Sequence, residues 1–388
     1  MNARSNQIPT THAGSLPRTP ALHALHAARF RGDAIDPQEL ASAARDATRE
    51  TVERQIETGL SIINNGEVGR ESFITYLQHR MTGFGGESER RAMGDLMAYP
   101  GYLQYLRRLR GDGARVDLLS APKAVAEIRY EDPGPIEREC DELKGLLAQH
   151  ADEYLDAFVS SPSPGIVATA MQNEFYGDLE SYVRAVAAAL RMEYRTIVGR
   201  GLLLQIDAPD LALERHTLFQ DKPLSDFIAF VRVVVDALND ALEGLPPERV
   251  RLHVCWGNYP GPHDQDVPLE DIWSELTRAQ VGAMLLSMAN PRHAHEYRLF
   301  EERPLPEHLT IIPGVIDTTT NYVEHPETVA DRLERIAHTT GAPERLIAGT
   351  DCGLETSAGS TNVVPEVAWA KLRALVEGAQ LASRRLFG

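Results

Sequence analysis

The feature that most constrains the fold is the alternation of short apolar runs with longer amphipathic stretches along nearly the whole chain. Strands that are buried on both faces read as continuous apolar runs, so these runs predict a mainly parallel sheet. Eight strands alternating with helices are typical of a (β/α)8 TIM barrel. The eight runs are 7–14, 60–67, 165–171, 202–209, 250–256, 281–289, 309–317 and 345–353. The helical stretches include 39–59, 178–200, 225–243, 268–280 and 326–340.

The spacing of the runs predicts one domain over residues 1–388 with an insertion at about 70–163, after the second strand. Residues 70–120 are expected to be a helical insertion, and the segment PKAVAEIRY a further strand, followed by a helix and a Pro/Ser connector. Neither a repeat nor a linker divides the sequence. A doubly wound sheet is the alternative architecture.

Composition narrows the partners and the compartment. The formal net charge is −17 and no block of Lys and Arg offsets it, which argues against nucleic-acid binding. The three cysteines do not form an even set, so we expect a reducing compartment and no disulfide framework. The N-terminal residues are polar, and no run reaches the ~20 apolar residues that a membrane span needs. A cytoplasmic protein without a membrane partner is expected, and a homo-oligomer remains open.

A histidine and a cysteine stand two positions apart where the fifth run ends, in RLHVCWGNYPGPHD. Alternate residues of a strand face the same side, so His253 and Cys255 can converge on one ion. Imidazole nitrogen and thiolate sulfur suit zinc. Cys352 ends the eighth run, and a barrel brings the carboxyl ends of all its strands to one face. The alternative is that each cysteine is a small buried hydrophobic residue.

Several segments together resemble the catalytic C-terminal barrel of cobalamin-independent methionine synthase. The matching pieces are TTHAGSLPRTP, NNGEVGR, YLQHRMTGF, QIDAPDLA, RLHVCWGN, IIPGVIDTTTNYVEHPETVADRLERI and AGTDCGLETSAG. The resemblance implies a zinc-dependent (β/α)8 barrel that activates a substrate thiol for attack on an electrophilic carbon. It also implies that the zinc ligands are His253, Cys255 and Cys352.

The sequence departs from that family at the sixth strand, where methionine synthases carry a glutamate near the zinc. Here Ser287 and Met288 occupy that place, and neither is expected to bind the metal. A His-x-Cys…Cys site without the glutamate resembles the epoxyalkane:coenzyme M transferase-like branch. The preferred prediction is therefore a zinc-dependent thiol alkyltransferase with a small thiol and an epoxide or methyl donor as co-substrates.

Three alternatives remain. The first is methionine synthase proper, which uses methyltetrahydrofolate and homocysteine. The second is a metal-free lyase or decarboxylase on the same barrel, and the third is a zinc-binding protein without catalytic activity. The sequence identifies neither the thiol nor its electrophile.

Polar residues near the predicted strand ends supply the other candidates. His12, Glu67 and Asp207 are proposed to act in catalysis, although a core histidine, an ion pair with Arg70 and a helix cap are the respective structural alternatives. Arg18 and Arg70 are candidates for holding an anionic substrate group, since guanidinium pairs well with carboxylate or sulfonate. The remaining predicted substrate-binding residues are Asn258, Asn173, Tyr176 and Asp317.

Overall fold

The computed structural model describes residues 6–110, 116, 120–360 and 362–388. Its main sheet is parallel and has the strand order β1-β4-β5-β6-β7-β8-β9. Antiparallel strands β2 and β3 form a separate two-stranded sheet. The strands are β1 Ile62–Ile63, β2 Met81–Gly85, β3 Lys123–Tyr130, β4 Asp156–Pro162, β5 Leu203–Asp207, β6 Val250–Val254, β7 Ala283–Ser287, β8 Thr310–Ile316 and β9 Gly349–Thr350.

The N-terminal segment closes this sheet into a ring, as the barrel prediction requires. Thr10 forms a parallel bridge with Ala348, next to β9, and its carbonyl oxygen accepts hydrogen bonds from Ser61 and Ile62 at β1. The segment therefore contacts both edges of the seven-stranded sheet. The predicted run 7–14 supplies the closing backbone, although only Thr10 itself forms a bridge.

Helices cover the outside of the sheet, and most of the predicted ones form within one or two residues of the predicted bounds. Glu270 and Asp271 lie in the first turn of their helix, where acidic side chains favour the positive end of the helix dipole. The helices are α1 Pro20–Phe30, α2 Pro37–Thr58, α3 Gly94–Met97, α4 Pro100–Arg110, α5 Gly134–Leu147, α6 Pro164–Ala170, α7 Leu179–Gly199, α8 Asp210–Leu213, α9 Leu224–Leu242, α10 Leu269–Leu276, α11 Leu299–Glu302, α12 Pro326–Thr340 and α13 Pro365–Phe387. Short 3-10 turns lie at Thr75–His79, Glu214–His216, Pro247–Arg249, Glu296–Arg298 and Pro343–Arg345.

The third predicted strand, 165–171, is wrong, because this segment is helix α6. Ser163 caps the helix by accepting a hydrogen bond from the Ile166 amide, and Pro164 occupies the first turn, where a missing N–H costs nothing. The strand lies just upstream, as β4, in the segment expected to be a Pro/Ser connector. A run of small apolar residues does not by itself distinguish a buried strand from a buried helix.

The region between β1 and β4 contains a strand, β2, in addition to the expected helices and the expected strand β3. Strand β2 pairs with β3, the strand predicted from PKAVAEIRY, and α3 and α4 lie between them in sequence. Part of the predicted insertion, residues 111–115 and 117–119, falls outside the described residues. Helix α5 packs against α2 and α7, as a helix of the outer ring would.

Apolar side chains fill the interior of the ring, including Ile62, Phe158, Leu203, Leu285 and Ile312. A larger core lies between the sheet and the helices. These two layers leave the carboxyl ends of the strands as the face where polar side chains meet. Within the residues that the structure describes, no helix is long and apolar enough to cross a membrane.

Candidate metal centre

His253, Cys255 and Cys352 meet at the carboxyl end of the barrel. One donor atom from each lies within 4.8 Å of the others, and all three side chains are buried. His253 is in β6, Cys255 follows that strand directly, and Cys352 lies two residues after β9. The His-x-Cys spacing thus places two donors on one strand end, and ring closure brings the third to them.

The spacing of these atoms fits zinc. The two cysteine sulfurs are 3.8 Å apart. Two sulfurs that each lie about 2.3 Å from a tetrahedral zinc ion are separated by roughly 3.8 Å. The nitrogen and two sulfurs form a soft donor set of the kind that zinc accepts. The residues present therefore fit the metal that the family resemblance implied.

Asp207 orients the imidazole of His253. The Oδ1 atom of Asp207 lies 2.9 Å from Nδ1 of His253. The same oxygen accepts a 2.8 Å hydrogen bond from the side-chain Nε2 of Gln205. Such a contact fixes the proton on Nδ1 and leaves Nε2 as the metal-binding nitrogen, the usual arrangement behind a histidine ligand. Sequence reasoning missed Gln205, although its position two residues before Asp207 on β5 places both side chains on one face.

The pKa values of the three candidate ligands are shifted in the metal-free site, and these shifts bear on metal binding. Burial lowers the pKa of His253, but the Cys255 thiolate and Asp207 outweigh it and raise that pKa to about 10. The hydrogen bond from Cys352 holds the pKa of Cys255 well below its usual value, and His253 adds to this effect. The same hydrogen bond, together with burial, holds the pKa of the Cys352 thiol well above its usual value. A metal that binds all three side chains must therefore release protons.

Ser287 and Met288, which the sequence excluded as ligands, are engaged elsewhere. The Ser287 hydroxyl donates a 2.9 Å hydrogen bond to the main-chain oxygen of Asp351. The Met288 side chain lies in the large apolar core. Asp351 itself accepts hydrogen bonds from the loop that follows β7. Only its position before Cys352 marks this residue in the sequence.

Glu67 is a buried carboxylate held in an unusual backbone conformation. Its φ is 56°, in the left-handed region that non-glycine residues seldom adopt. Oε1 accepts a 2.7 Å hydrogen bond from Ser160, whereas Oε2 has no hydrogen-bond partner in the described part of the chain. Burial raises the pKa of Glu67 to about 7, and the charge of Asp207 adds to the increase.

Gly14 is required where the N-terminal segment passes Glu67. A Cβ atom at position 14 would lie 2.2 Å from Oε1 of Glu67 and 3.5 Å from the Gln205 amide nitrogen, and the φ of 126° is also unfavourable for other residues. This close approach brings Glu67, Gln205 and the closing segment together. Glu67 and Asp207, both singled out in the sequence, therefore belong to one region beside His253.

Asn258 connects the loops that carry the two cysteines. Its side-chain amide donates to the main-chain oxygen of Gly353 at 2.8 Å, and its side-chain oxygen accepts from Thr318 at 3.0 Å. Asp317 accepts hydrogen bonds from the Thr319 amide and from hydroxyl groups of its own loop. Both predicted residues lie at the carboxyl ends of the strands, and their observed contacts hold loops in place.

The two predicted anion-binding arginines are committed to the framework. Arg18 is 2% exposed and donates to the main-chain oxygens of Arg70, Glu67 and Glu355. Arg70 donates to Ser160 and forms a 2.8 Å ion pair with Glu139. Arg18 donates through all of its side-chain nitrogens to protein oxygens, and Arg70 contacts Ser160 and Glu139 although its Nε has no hydrogen-bond partner among the described residues. The expected role in holding a substrate anion therefore has no support in these contacts.

His12 also satisfies its ring within the core. Nε2 lies 2.8 Å from the Gln55 side-chain oxygen, which also accepts from the Asn64 amide, and Nδ1 accepts from the Gly14 amide at 3.2 Å. Burial lowers the pKa of His12 to about 4, which keeps the ring neutral. These contacts favour the structural alternative named for His12.

Asn173 and Tyr176 stabilise the turn before α7. The Asn173 side chain accepts from the amides of Phe175 and Tyr176 and donates to the Tyr176 carbonyl. The Tyr176 hydroxyl accepts from the Ile128 amide in β3, and its ring stacks on Tyr182. Their contacts are with the β2–β3 region and α7, so a substrate role stays a prediction that these contacts do not support.

Aromatic stacking braces the turn that follows Cys255. Trp256 stacks on His293 with ring centroids 4.0 Å apart, and Tyr259 stacks on His263 at the same distance. Both histidines also contact one buried carboxylate, that of Asp266. The turn is thus fixed to the loop after β7, which limits the movement of Cys255.

Comparisons with known proteins agree with this geometry. A family model described as the catalytic domain of cobalamin-independent synthase matches residues 8–99 and 151–380. The methionine synthase of Thermococcus kodakarensis is 24% identical over 380 residues, which cover 98% of this chain and 94% of that protein. A 5-methyltetrahydropteroyltriglutamate–homocysteine methyltransferase of Corynebacterium glutamicum is 25% identical over 381 residues, and the match covers only 44% of that longer protein.

The fold is shared with solved structures. The B12-independent methionine synthase of Shewanella sp. W3-18-1, solved in complex with selenomethionine, has a TM-score of 0.72 with 20% identity and covers 98% of this chain and 99% of that one. A vitamin-B12-independent methionine synthase described as putative, from Listeria monocytogenes, has a TM-score of 0.62 and 19% identity. At these identities the likeness establishes the barrel fold alone, and it confirms the predicted architecture.

Proposed function

Because this chain belongs to the cobalamin-independent synthase catalytic-domain family, we propose that it transfers a methyl group to the thiol of homocysteine at a zinc site formed by His253, Cys255 and Cys352. The observation that carries the proposal is the convergence of these three buried donors at a spacing that fits zinc. The named relatives favour methyl transfer over epoxide opening, the two reactions that the sequence had kept open.

A zinc ion held by His253, Cys255 and Cys352 would have room for one substrate atom and would supply the chemistry that favours the thiolate form of a substrate thiol at neutral pH. Other residues of the protein hold the three donor side chains in place. Asp207 fixes the ring of His253, and Asn258 ties the loop after Cys255 to the loop after Cys352. Fixed donors keep the substrate sulfur aimed at the methyl group.

Glu67 and Asp207 suit the ammonium group of homocysteine. Both are buried beside the metal centre, and Oε2 of Glu67 is unpartnered within the described residues. A cation placed between them would offset their mutual repulsion, which now adds to the raised pKa of Glu67. The same pair would discriminate against thiols that lack an amino group, since those leave a buried charge without a partner.

The lengths of the relatives bear on the choice of methyl donor. The long methyltransferases that use a pteroyltriglutamate by name are more than twice the length that this chain matches, whereas the Thermococcus enzyme is of similar length. A chain of this shorter type therefore has to be tested with more than one donor. We propose a methyltetrahydrofolate as the first to examine.

A second candidate function rests on the replacement of the expected glutamate by Ser287, whose hydroxyl is bonded to Asp351. This candidate is the addition of a small thiol such as coenzyme M to an epoxide, with the same three zinc ligands. It shares the metal-binding prediction and differs in both substrates.

The deciding experiment is a matrix of thiols and alkyl donors on zinc-loaded protein. Homocysteine, coenzyme M and glutathione are each combined with mono- and triglutamyl methyltetrahydrofolate and with a short epoxide, and products are identified by mass spectrometry. Methionine formation that is lost in Cys255→Ser supports the proposal. Thioether formation from coenzyme M and epoxide, without methionine in any combination, would replace it with the second candidate.

A further inference from the structure

The carboxylate of Asp351 is the acceptor for three consecutive main-chain amides. Oδ1 accepts from Met288 and Ala289 and Oδ2 accepts from Asn290, each at 2.8 Å. The Asn290 side-chain amide adds a longer contact of 3.3 Å. We call this arrangement the Asp351 clamp. Hydrogen bonds from several amides to an ionised carboxylate are among the strong ones in proteins.

The clamp crosses a strand of the sheet. Strand β8 lies between β7 and β9 in the sheet order, and the loop bound by the clamp follows β7. The Asp351 side chain passes β8 at Gly314, where a Cβ atom would lie 2.3 Å from its Oδ1 atom. Glycine at this position leaves the space that the carboxylate occupies, since another residue there would collide with it.

Cys352 depends on such a contact more than Cys255 does. Cys255 directly follows the five-residue strand β6, whereas β9 has only two residues and ends before Asp351. The backbone around Cys352 is held instead by the Asp351 amide, which donates to Ile316, and by the Thr350 hydroxyl, which donates to the Cys352 carbonyl. Beyond the end of β9, the backbone that carries Cys352 is therefore held by individual main-chain and side-chain hydrogen bonds.

The main chain of Asp351 also lies within the metal centre. Its carbonyl oxygen accepts the hydrogen bond from Ser287 and lies 3.4 Å from Nε2 of His253. A shift of Asp351 would thus move the neighbour of one ligand and disturb the surroundings of another. Zinc sites tolerate small errors in ligand placement poorly, because metal–ligand distances vary by only about 0.2 Å.

We propose that Asp351 is a positioning residue for the metal centre, and that its clamp on the loop after β7 fixes Cys352 at the distance from Cys255 that a zinc ion requires. The inference rests on the zinc site of the proposed function. It assigns to Asp351 a role that the three ligands cannot perform themselves, since the backbone that carries Cys352 extends beyond the regular strand.

The test compares Asp351→Asn with Leu143→Ala. Asparagine keeps the size of the side chain but replaces one acceptor oxygen by a donor, so it cannot accept from all three amides. Leu143 is a fully buried core residue of α5, and its truncation should destabilise the protein without touching the clamp. It therefore controls for loss of stability alone.

Two measurements are made on each protein. The zinc dissociation constant is obtained by competition with a chromophoric chelator, and amide hydrogen exchange of residues 288–290 is followed in metal-free protein. We expect Asp351→Asn to weaken zinc binding by about 10–100-fold, the range typical of lost contacts behind a ligand, and to speed exchange in this loop. Leu143→Ala should retain the wild-type zinc affinity.

Zinc affinity within twofold of wild type in Asp351→Asn would overturn the inference, even if loop exchange becomes faster, because the clamp would then hold only the loop. An equal loss of affinity in Leu143→Ala would overturn it as well. If Asp351→Asn does not fold, Ser287→Ala removes only the bond to the Asp351 carbonyl and should show a smaller loss of affinity in the same direction, and no loss there counts against the inference. Failure of the wild-type protein to bind zinc would instead refute the metal site of the proposed function.

Discussion

Cys255 and Cys352 are 97 positions apart in the chain, yet their sulfur atoms lie 3.8 Å from each other. Ring closure of the barrel produces this proximity, because it brings the loops after β6 and β9 to one face. The two thiols differ in electrostatics, since the hydrogen bond between them favours the thiolate of Cys255 and the protonated form of Cys352. Substitution of these two cysteines is the most direct test of the predicted metal site.

Replacing either sulfur should remove zinc. We expect about one zinc per wild-type chain and a large loss in Cys255→Ser and in Cys352→Ser, because a hydroxyl is a much weaker zinc donor than a thiolate. Cys140→Ser is the matched control, since Cys140 lies buried in α5, away from the other two. Elemental analysis of the purified proteins gives the stoichiometry. Full zinc retention in both site variants would disprove the metal centre.

Removing the charge of Asp207 should weaken zinc binding without abolishing it. Asp207→Asn keeps the shape but supplies a poorer acceptor for the Nδ1 proton of His253, so we expect the zinc dissociation constant to rise about 10–100-fold. Chelator competition measures the change, and Asp178→Asn at the exposed cap of α7 serves as the control. An affinity equal to that of the control would mean that Asp207 does not act through His253.

Arg18 should prove to be a stabilising residue. Arg18→Met removes donors to three main-chain oxygens and leaves the buried Glu355 without its arginine, so we expect a loss of about 3–5 kcal/mol in the free energy of unfolding. Urea titration measures the loss. Arg31→Met, at an exposed ion pair with Asp33, should cost less than about 1 kcal/mol. A stable Arg18→Met protein with a raised KM for the thiol would restore the anion-binding role.

Glu67 should make stability depend on pH near neutrality. Burial, with the charge of Asp207, raises the pKa of Glu67 from 4.5 to about 7 in the folded protein. Between these values the folded state keeps a proton that the unfolded state loses. The free energy of unfolding of wild type should therefore fall relative to Glu67→Gln as the pH rises from about 4.5 to 7, by about 3 kcal/mol at most.

This pH effect is measured by urea unfolding of metal-free wild type and Glu67→Gln at several pH values from 5 to 8. Glu57→Gln, an exposed substitution on α2, is the control and should follow the wild-type pH profile. A constant difference between wild type and Glu67→Gln across this range would show that Glu67 is ionised in the folded state at all these pH values.

The sequence by itself determined the class of fold and singled out the three candidate metal ligands. Continuous apolar runs and the 3.6-residue helical period are local properties, so the strands β5 to β8 and helices such as α7 and α12 could be located from their own residues. The spacing of His253 and Cys255 is equally local. The exception is α6, where a short apolar run fits either structure and the cap at Ser163 decides for the helix.

Only the tertiary structure decided what the polar residues do. His12, Arg18 and Arg70 have the chemistry of site residues, but each has partners in segments distant along the chain: His12 contacts Gln55, Arg18 donates to Glu67, and Arg70 donates to Ser160. Conversely, Gln205 contacts the closing N-terminal segment at Ala13, and Asp351 reaches the loop after β7 because Gly314 of the intervening strand leaves room for its carboxylate. The residue type at one position determines the chemistry of that side chain, whereas its role depends on which groups the fold places within about 3 Å of it.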